Sequence, residues 1–211
     1  MTAVAYTQWL PAVQIHVPEC PTPMITEAVR STCIRFCGES RYLREELDPF
    51  NTVATDEEYE IAAPADCAIA EILSLRVDGT QLKPTTVDAL ENEVVDWQSL
   101  TGRPRRYYQR SRAIIVMNPV PDAAYVSRAV VAIKPSQSSG GVDERVFEEW
   151  KDAIASGALA YLLAMPGQSW SNPELAGYHG GLFSSAVAQA RNQADAGYSL
   201  TRPSRVRARF L

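Results

Sequence analysis

Between Gly157 and Tyr178 the chain reads GALAYLLAMPGQSWSNPELAGY, an apolar helix-forming run that meets Pro166-Gly167 and restarts at Asn172-Pro173-Glu174. Proline has no amide to continue a helical ladder, and glycine enters positive φ without strain, so the first helix must stop near Met165. Asn172 can accept a bond from an orphan amide of the next helix. Pro173 at its first position loses no hydrogen bond, and Glu174 complements the helix dipole. Two helices separated by so short a turn fold back as an αα-hairpin. Upstream, Phe147, Trp150, Ile154, Ala158, Tyr161 and Met165 recur every three or four residues and predict one core-facing stripe.

The second helix is less regular. Leu175, Tyr178, Leu182, Val187 or Ala186, and Ala190 extend a stripe to about Ala194, but Gly177, Gly180 and Gly181 interrupt it. Each interior glycine costs about 1 kcal/mol relative to alanine. Gly177, Gly181 and Ser185, at steps of four, form a smooth face that would admit another helix or another subunit; a kink at the glycines is the alternative.

The remainder divides into helix, strands and helix pair. Residues 1–22, with Trp9, the prolines Pro11, Pro18 and Pro21, and Val13, Ile15 and Val17 in alternation, read as an extended arm. Thr22-Pro23 opens a helix whose stripe is Ile25, Ala28, Val29, Thr32 and Phe36; it ends near Gly38 or runs on to about Glu46. Residues 51–134 are β-rich. Thr52–Ala54 and Tyr59–Ile61 form a candidate hairpin around Thr55–Glu58, and Ala70–Val77 runs into Asp78-Gly79, a strong turn signal. Thr85 or Thr86 can cap a short helix through Val87, Leu90, Val94 and Trp97, and Arg106–Gln109, Ala113–Met117 and Tyr125–Ile133 complete the strands. Helices at about 23–46, 143–165 and 173–195 enclose this block, so the expected class is α+β: a helical bundle with a β-rich insertion, a core over 23–196, and extended N- and C-terminal arms.

Charge is divided unevenly. The chain carries −5 overall, yet residues 197–211 hold Arg202, Arg205, Arg207 and Arg209 with no carboxylate side chain, leaving −9 for the rest. A basic end on an acidic body fits an acidic protein surface or a phosphate backbone, unless it serves solubility alone. The segment has little apolar surface and is expected to move freely in an isolated subunit. No apolar run of about 18 residues marks a membrane span, and the first residues lack the pattern of a signal peptide.

Catalytic signatures are missing from the sequence. His16 and His179 are the two histidines, and no metal-binding, nucleophile-elbow or phosphate-loop motif is present. Cys20, Cys33, Cys37 and Cys67 form no close pair and read as reduced core thiols, although Cys33 or Cys37 with His179 would be the dyad of a thiol hydrolase. The acidic clusters Asp56–Glu58 and Glu91–Asp96 follow no calcium-loop pattern. No catalytic residue, metal or cofactor is therefore assigned. A nucleic-acid-binding module using the C-terminal arginines with Arg103, Arg105 and Arg106 is the competing function.

The order of elements, together with WQSLTGRPRRYY from Trp97, NPVPDAA from Asn118, KPS from Lys134 and GALAYLLAMPGQSWSNPELAGYH from Gly157, resembles the head-to-tail adaptor proteins of tailed bacteriophages over about residues 22–211. The resemblance implies a structural virion protein of the neck, assembled in the host cytoplasm, in which about twelve copies close a ring. Its partners would be the portal above and the tail nozzle or tail tube below, with genomic DNA passing through the lumen. Arg202, Arg205, Val206, Arg207, Arg209, Phe210 and Leu211 would then bind the portal, and Gly177, Gly181 and Ser185 would pack subunits or helices.

Overall fold

The computed structural model describes residues 2–93 and 96–197. In chain order, β1 (Ala3–Ala5) leads through a 3-10 turn into α1 (Leu10–Gln14) and α2 (Thr22–Ser40). Strands β2 (Arg44–Glu46), β3 (Phe50–Asn51), β4 (Glu58–Glu60), β5 (Cys67–Val77), β6 (Thr80–Gln81) and β7 (Lys83–Pro84) follow. After α3 (Val87–Glu93) come β8 (Arg106–Gln109), β9 (Ile114–Asn118), β10 (Val126–Pro135) and β11 (Gly141–Asp143), and the described chain ends with α4 (Glu144–Leu163) and α5 (Pro173–Ala196). Helices and sheets are thus mixed, as an α+β class requires.

The longest strands organise the sheets. β5 and β10 pair antiparallel from Cys67–Pro135 to Val77–Ser127, with register shifts after Val130 and Ala132. β2 and β3 pair with the opposite side of β10, and β6 turns back on β5 through the expected Asp78-Gly79 turn. A second sheet has the order β4-β9-β8-β7, and β1 pairs with β11. Helix α2 lies against β10, and α2, α4 and α5 pack on one another. Their shared core includes Ile25, Phe36, Ile133, Ile154 and Leu162, all at or near zero exposure.

Gly157 sets how closely the three helices meet. A Cβ there would stand 2.5 Å from Thr32 Cγ2 and 2.6 Å from Phe183 Cδ2, well inside contact distance. The ring of Phe36 in α2 bridges the same region, with centroids 5.5 Å from Trp150 and 6.4 Å from Phe183. α4 departs from helical dihedrals at Trp150 (φ −126°, ψ 18°) where this cluster forms.

Four expectations need correction. Residues 1–22 are not an extended arm: Tyr6, Trp9, Val13, Val17 and Cys20 are buried. The Trp9 ring stands edge-on to Phe147 at 4.8 Å and its indole N–H donates to the Lys151 carbonyl at 3.0 Å. Pro11 lies in the first turn of α1, where a missing amide is harmless, so prolines that looked disruptive are compatible with helix. Secondly, α2 continues past Gly38 but stops at Ser40 rather than near Glu46. Arg41 is left-handed (φ 54°, ψ 31°), its N–H bonds the Cys37 carbonyl, and its guanidinium pairs with Glu71 at 2.6 Å, so a side-chain tether supports a conformation usually given to glycine. Residues 44–46 are strand.

Thirdly, the segments around Thr55–Glu58 do not pair with each other. β3 joins β10 while β4 joins β9, and the loop between them is held by the Tyr59 hydroxyl, 2.7 Å from the Asp56 carbonyl. Fourthly, the α4 stripe veers from its expected line. Trp150, Ile154, Ala158 and Leu162 are buried, but Tyr161 is 60% exposed, and the helix ends at Leu163. The αα-hairpin itself is as expected: Gly167 takes φ 75°, and Asn172 Oδ1 accepts from the Leu175 amide at 3.1 Å. Likewise Thr86 Oγ1 accepts from the Ala89 amide at the start of α3.

Urea unfolding distinguishes these roles. Gly157→Ala is expected to lose about 1 to 3 kcal/mol by overpacking, whereas Gly177→Ala, with open space around it, is expected to gain up to about 1 kcal/mol of helix propensity; equal signs would contradict the assignment of Gly157 as the tight approach. Asn172→Ala should cost about 1 kcal/mol, while Asn172→Asp should be near neutral. Equal losses in those two variants would show that the cap bond is not what Asn172 contributes.

Candidate assembly interface

α5 has two apolar rows, and the expected stripe takes residues from both. Ala176, Phe183, Val187 and Ala190 are buried, while Leu175, Tyr178 and Leu182 are 45%, 63% and 44% exposed. At about 100° per residue the two rows lie on adjoining sides of one helix, and Gly157 decides between them. Only where α4 lacks a side chain can the Phe183 ring enter. Val187 and Ala190 are therefore core residues as expected, and Leu175, Tyr178 and Leu182 are not.

Gly177, Gly181 and Ser185 are exposed beside that outer row. A Cβ at Gly177 or Gly181 would meet nothing within 4 Å, so neither glycine serves a close approach between described helices of this chain. The outer face of α5 thus combines three large apolar side chains with a strip stripped of side chains. A surface of that kind is costly to leave in water and well shaped for a neighbouring backbone.

At the N-terminal end of this face, the Tyr178 and His179 rings are 5.4 Å apart and His179 lies 5.8 Å from His16 in the segment after α1. Burial, followed by the proximity of His16, lowers the His179 pKa and favours the neutral imidazole. This pair ties the N-terminal segment to α5. The cysteines offer no nucleophile beside it: Cys33 and Cys37 are fully buried, and burial raises both thiol pKa values, which keeps them protonated at neutral pH. Among the described residues no group of three or more His, Cys, Asp or Glu side chains is placed to hold a metal ion.

The inner arginines are largely engaged within the chain. Arg103 Nη2 lies 3.6 Å from Asp78 Oδ2 and the guanidinium sits over the Tyr125 ring, while Arg106 pairs with Glu93. Among the described residues Arg105 carries no such partner. Arg202, Arg205, Val206, Arg207, Arg209, Phe210 and Leu211 lie outside the described residues. No described helix is long and apolar enough to cross a membrane.

No curated protein matches the chain. The family model for the SU10 adaptor protein matches residues 8–208, nearly the whole sequence, and agrees with the resemblance to phage head-to-tail adaptors seen in the sequence. With a match of that extent, the chain belongs to the SU10 adaptor protein family.

Proposed function

We propose that the protein is a structural head-to-tail adaptor of the virion neck, a ring of about twelve copies that joins the portal to the tail nozzle or tail tube. The observation that carries this reading, beside the family match, is the outer face of α5. Leu175, Tyr178 and Leu182 are exposed next to two glycines that pack against nothing among the described residues, and a neighbouring subunit would cover them. In this reading α2, α4 and α5 form a helical bundle, the strands between Arg44 and Pro135 form its β-rich insertion, and Gly177, Gly181 and Ser185 belong to the contact between copies. No reaction and no cofactor are assigned.

The acidic excess outside the last 15 residues suits a lumen that carries DNA, because each phosphate contact by Lys or Arg would add salt-dependent affinity and hinder sliding. The basic end suits a different task. Arg202, Arg205, Arg207 and Arg209 can pair with carboxylates of the portal while Val206, Phe210 and Leu211 supply apolar contact. Copies would assemble in the host cytoplasm on the portal, which templates the ring.

Two variants test the two contacts separately. Gly181→Leu places a large side chain in open space within its own subunit, so melting temperature is expected to stay the same or rise while negative-stain images with portal lose closed rings. Normal rings in that variant would remove the α5 face from the interface. Deleting residues 199–211 is expected to preserve the melting temperature and abolish portal capture in a pull-down; capture at wild-type affinity would show that the basic segment is not the portal contact.

A further inference from the structure

A cleft of about 520 Å³ opens where β2, β3 and β4 meet, and its charge is all of one sign. Glu45, Glu46, Asp48 and Glu60 line it above a floor that includes Leu47, Phe50 and Ile61, and among the described residues no lysine or arginine borders it. Glu45 also borders a neighbouring cavity of about 330 Å³ that contains Asp66 and Asp143 and, among the described residues, again no cationic side chain. Glu46 is partnered by Arg128 at 3.6 Å and Asp143 by Arg145 at 2.8 Å, whereas Glu45 stands between the two cavities. The Oε2 atom of Glu45 is shielded from solvent and has no hydrogen-bond partner among the described residues. A buried carboxylate oxygen without a donor is an expensive arrangement that a guanidinium would relieve.

The source of such a group is beside the cleft. The Asp195 carboxylate, near the end of α5, pairs with Arg44, the β2 residue adjacent to Glu45. From there residues 198–211 extend the chain with four arginines, no carboxylate side chain and the apolar residues Leu200, Val206, Phe210 and Leu211. Fourteen residues reach up to about 46 Å when extended, ample for a cleft that begins one residue from Arg44. β2 is also the edge strand of its sheet, so its outer backbone groups are open to an extended segment.

We propose that the acidic cleft holds the chain's own basic C-terminal segment, residues 198–211, before assembly. The arginines meet Glu45, Asp48 and Glu60, and the apolar side chains meet the floor. Tethering raises the local concentration of the segment, so contacts that are individually weak suffice. This departs from the expectation of a freely moving arm. It also goes beyond the adaptor reading: an acidic portal surface would compete with the cleft for the same arginines, and a free subunit would keep its sticky end covered until a portal is met.

Trypsin reads this directly on the free, intact chain, with no portal present, so its result is independent of portal capture. Mass spectrometry follows cleavage after Arg205, Arg207 and Arg209, normalised to a synthetic peptide of residues 198–211 under the same conditions; Arg202 precedes Pro203 and is not a trypsin site. At about 0.01 M salt the tethered segment is expected to be cut roughly tenfold more slowly than the peptide, as a few weak ion pairs allow. At about 1 M salt, where screening acts within about 3 Å, the two rates should converge. Glu45→Gln with Asp48→Asn and Glu60→Gln should remove the protection at low salt with an unchanged circular dichroism spectrum. Glu91→Gln with Glu148→Gln, exposed carboxylates elsewhere on the chain, should leave it intact. Equal rates for chain and peptide at low salt overturn the proposal, as does equal loss of protection in the control variant. Protection that grows with protein concentration overturns the assignment to the same chain and gives the cleft to a second copy. If the cleft variant unfolds, the salt comparison on the unaltered chain decides.

Discussion

The missing side chain at Gly157 is the constraint on which the rest of this molecule depends. It lets α2, α4 and α5 meet within van der Waals reach, with the Thr32 methyl and the Phe183 ring filling the space a Cβ would occupy. Thr32 is held in place because its hydroxyl donates to the Ala28 carbonyl at 2.7 Å, which leaves the methyl for packing. Phe183 is held by Phe36 on one side and by the Arg35 guanidinium, 5.2 Å from its ring centroid, on another. Once Phe183 is committed inward, the rotation of α5 is settled, and with it the identity of the residues left outside.

That rotation connects core packing to function. A helix with two apolar rows can bury either, and the row left over becomes a surface with a use. Here the leftover row sits beside Gly177 and Gly181, where an added Cβ would meet nothing among the described residues. The same helix therefore completes the core and presents a face that a neighbouring copy in the proposed ring would cover. An adaptor must hold its shape while it binds on several sides, and separating the two rows by side of one helix satisfies both demands.

The N-terminal segment contributes in a different way. Trp9 caps α4 through Phe147 and the Lys151 carbonyl, Tyr6 donates its hydroxyl to the Gly141 carbonyl at 2.9 Å, and β1 closes on β11. A Cβ at Gly141 would stand 2.3 Å from the Val4 carbonyl oxygen, so this closure also requires a glycine. Residues near the start of the chain thereby clamp the junction between the β-rich part and α4.

Local signals were sufficient wherever the cause is local. The Pro166-Gly167 stop, the Asn172 cap, the Thr86 cap, the Asp78-Gly79 turn and the long β5 and β10 strands were all legible, because a missing amide, a permitted positive φ or a two-residue period acts within a few residues. The family resemblance was legible for the same reason, as it rests on contiguous segments. What escaped was decided by partners distant in sequence. Pro11 and Pro18 hid a segment that folds because Trp9 finds Phe147, more than 130 residues away. Arg41 ends α2 because Glu71 holds it, and the β3–β4 loop crosses sheets because each strand finds a longer partner than the other could offer. The sequence by itself determined where α4, α5, β5 and β10 begin and end to within a few residues; only the tertiary structure decided which side of α5 faces inward, since two apolar rows are equivalent until Gly157 admits a ring to one of them.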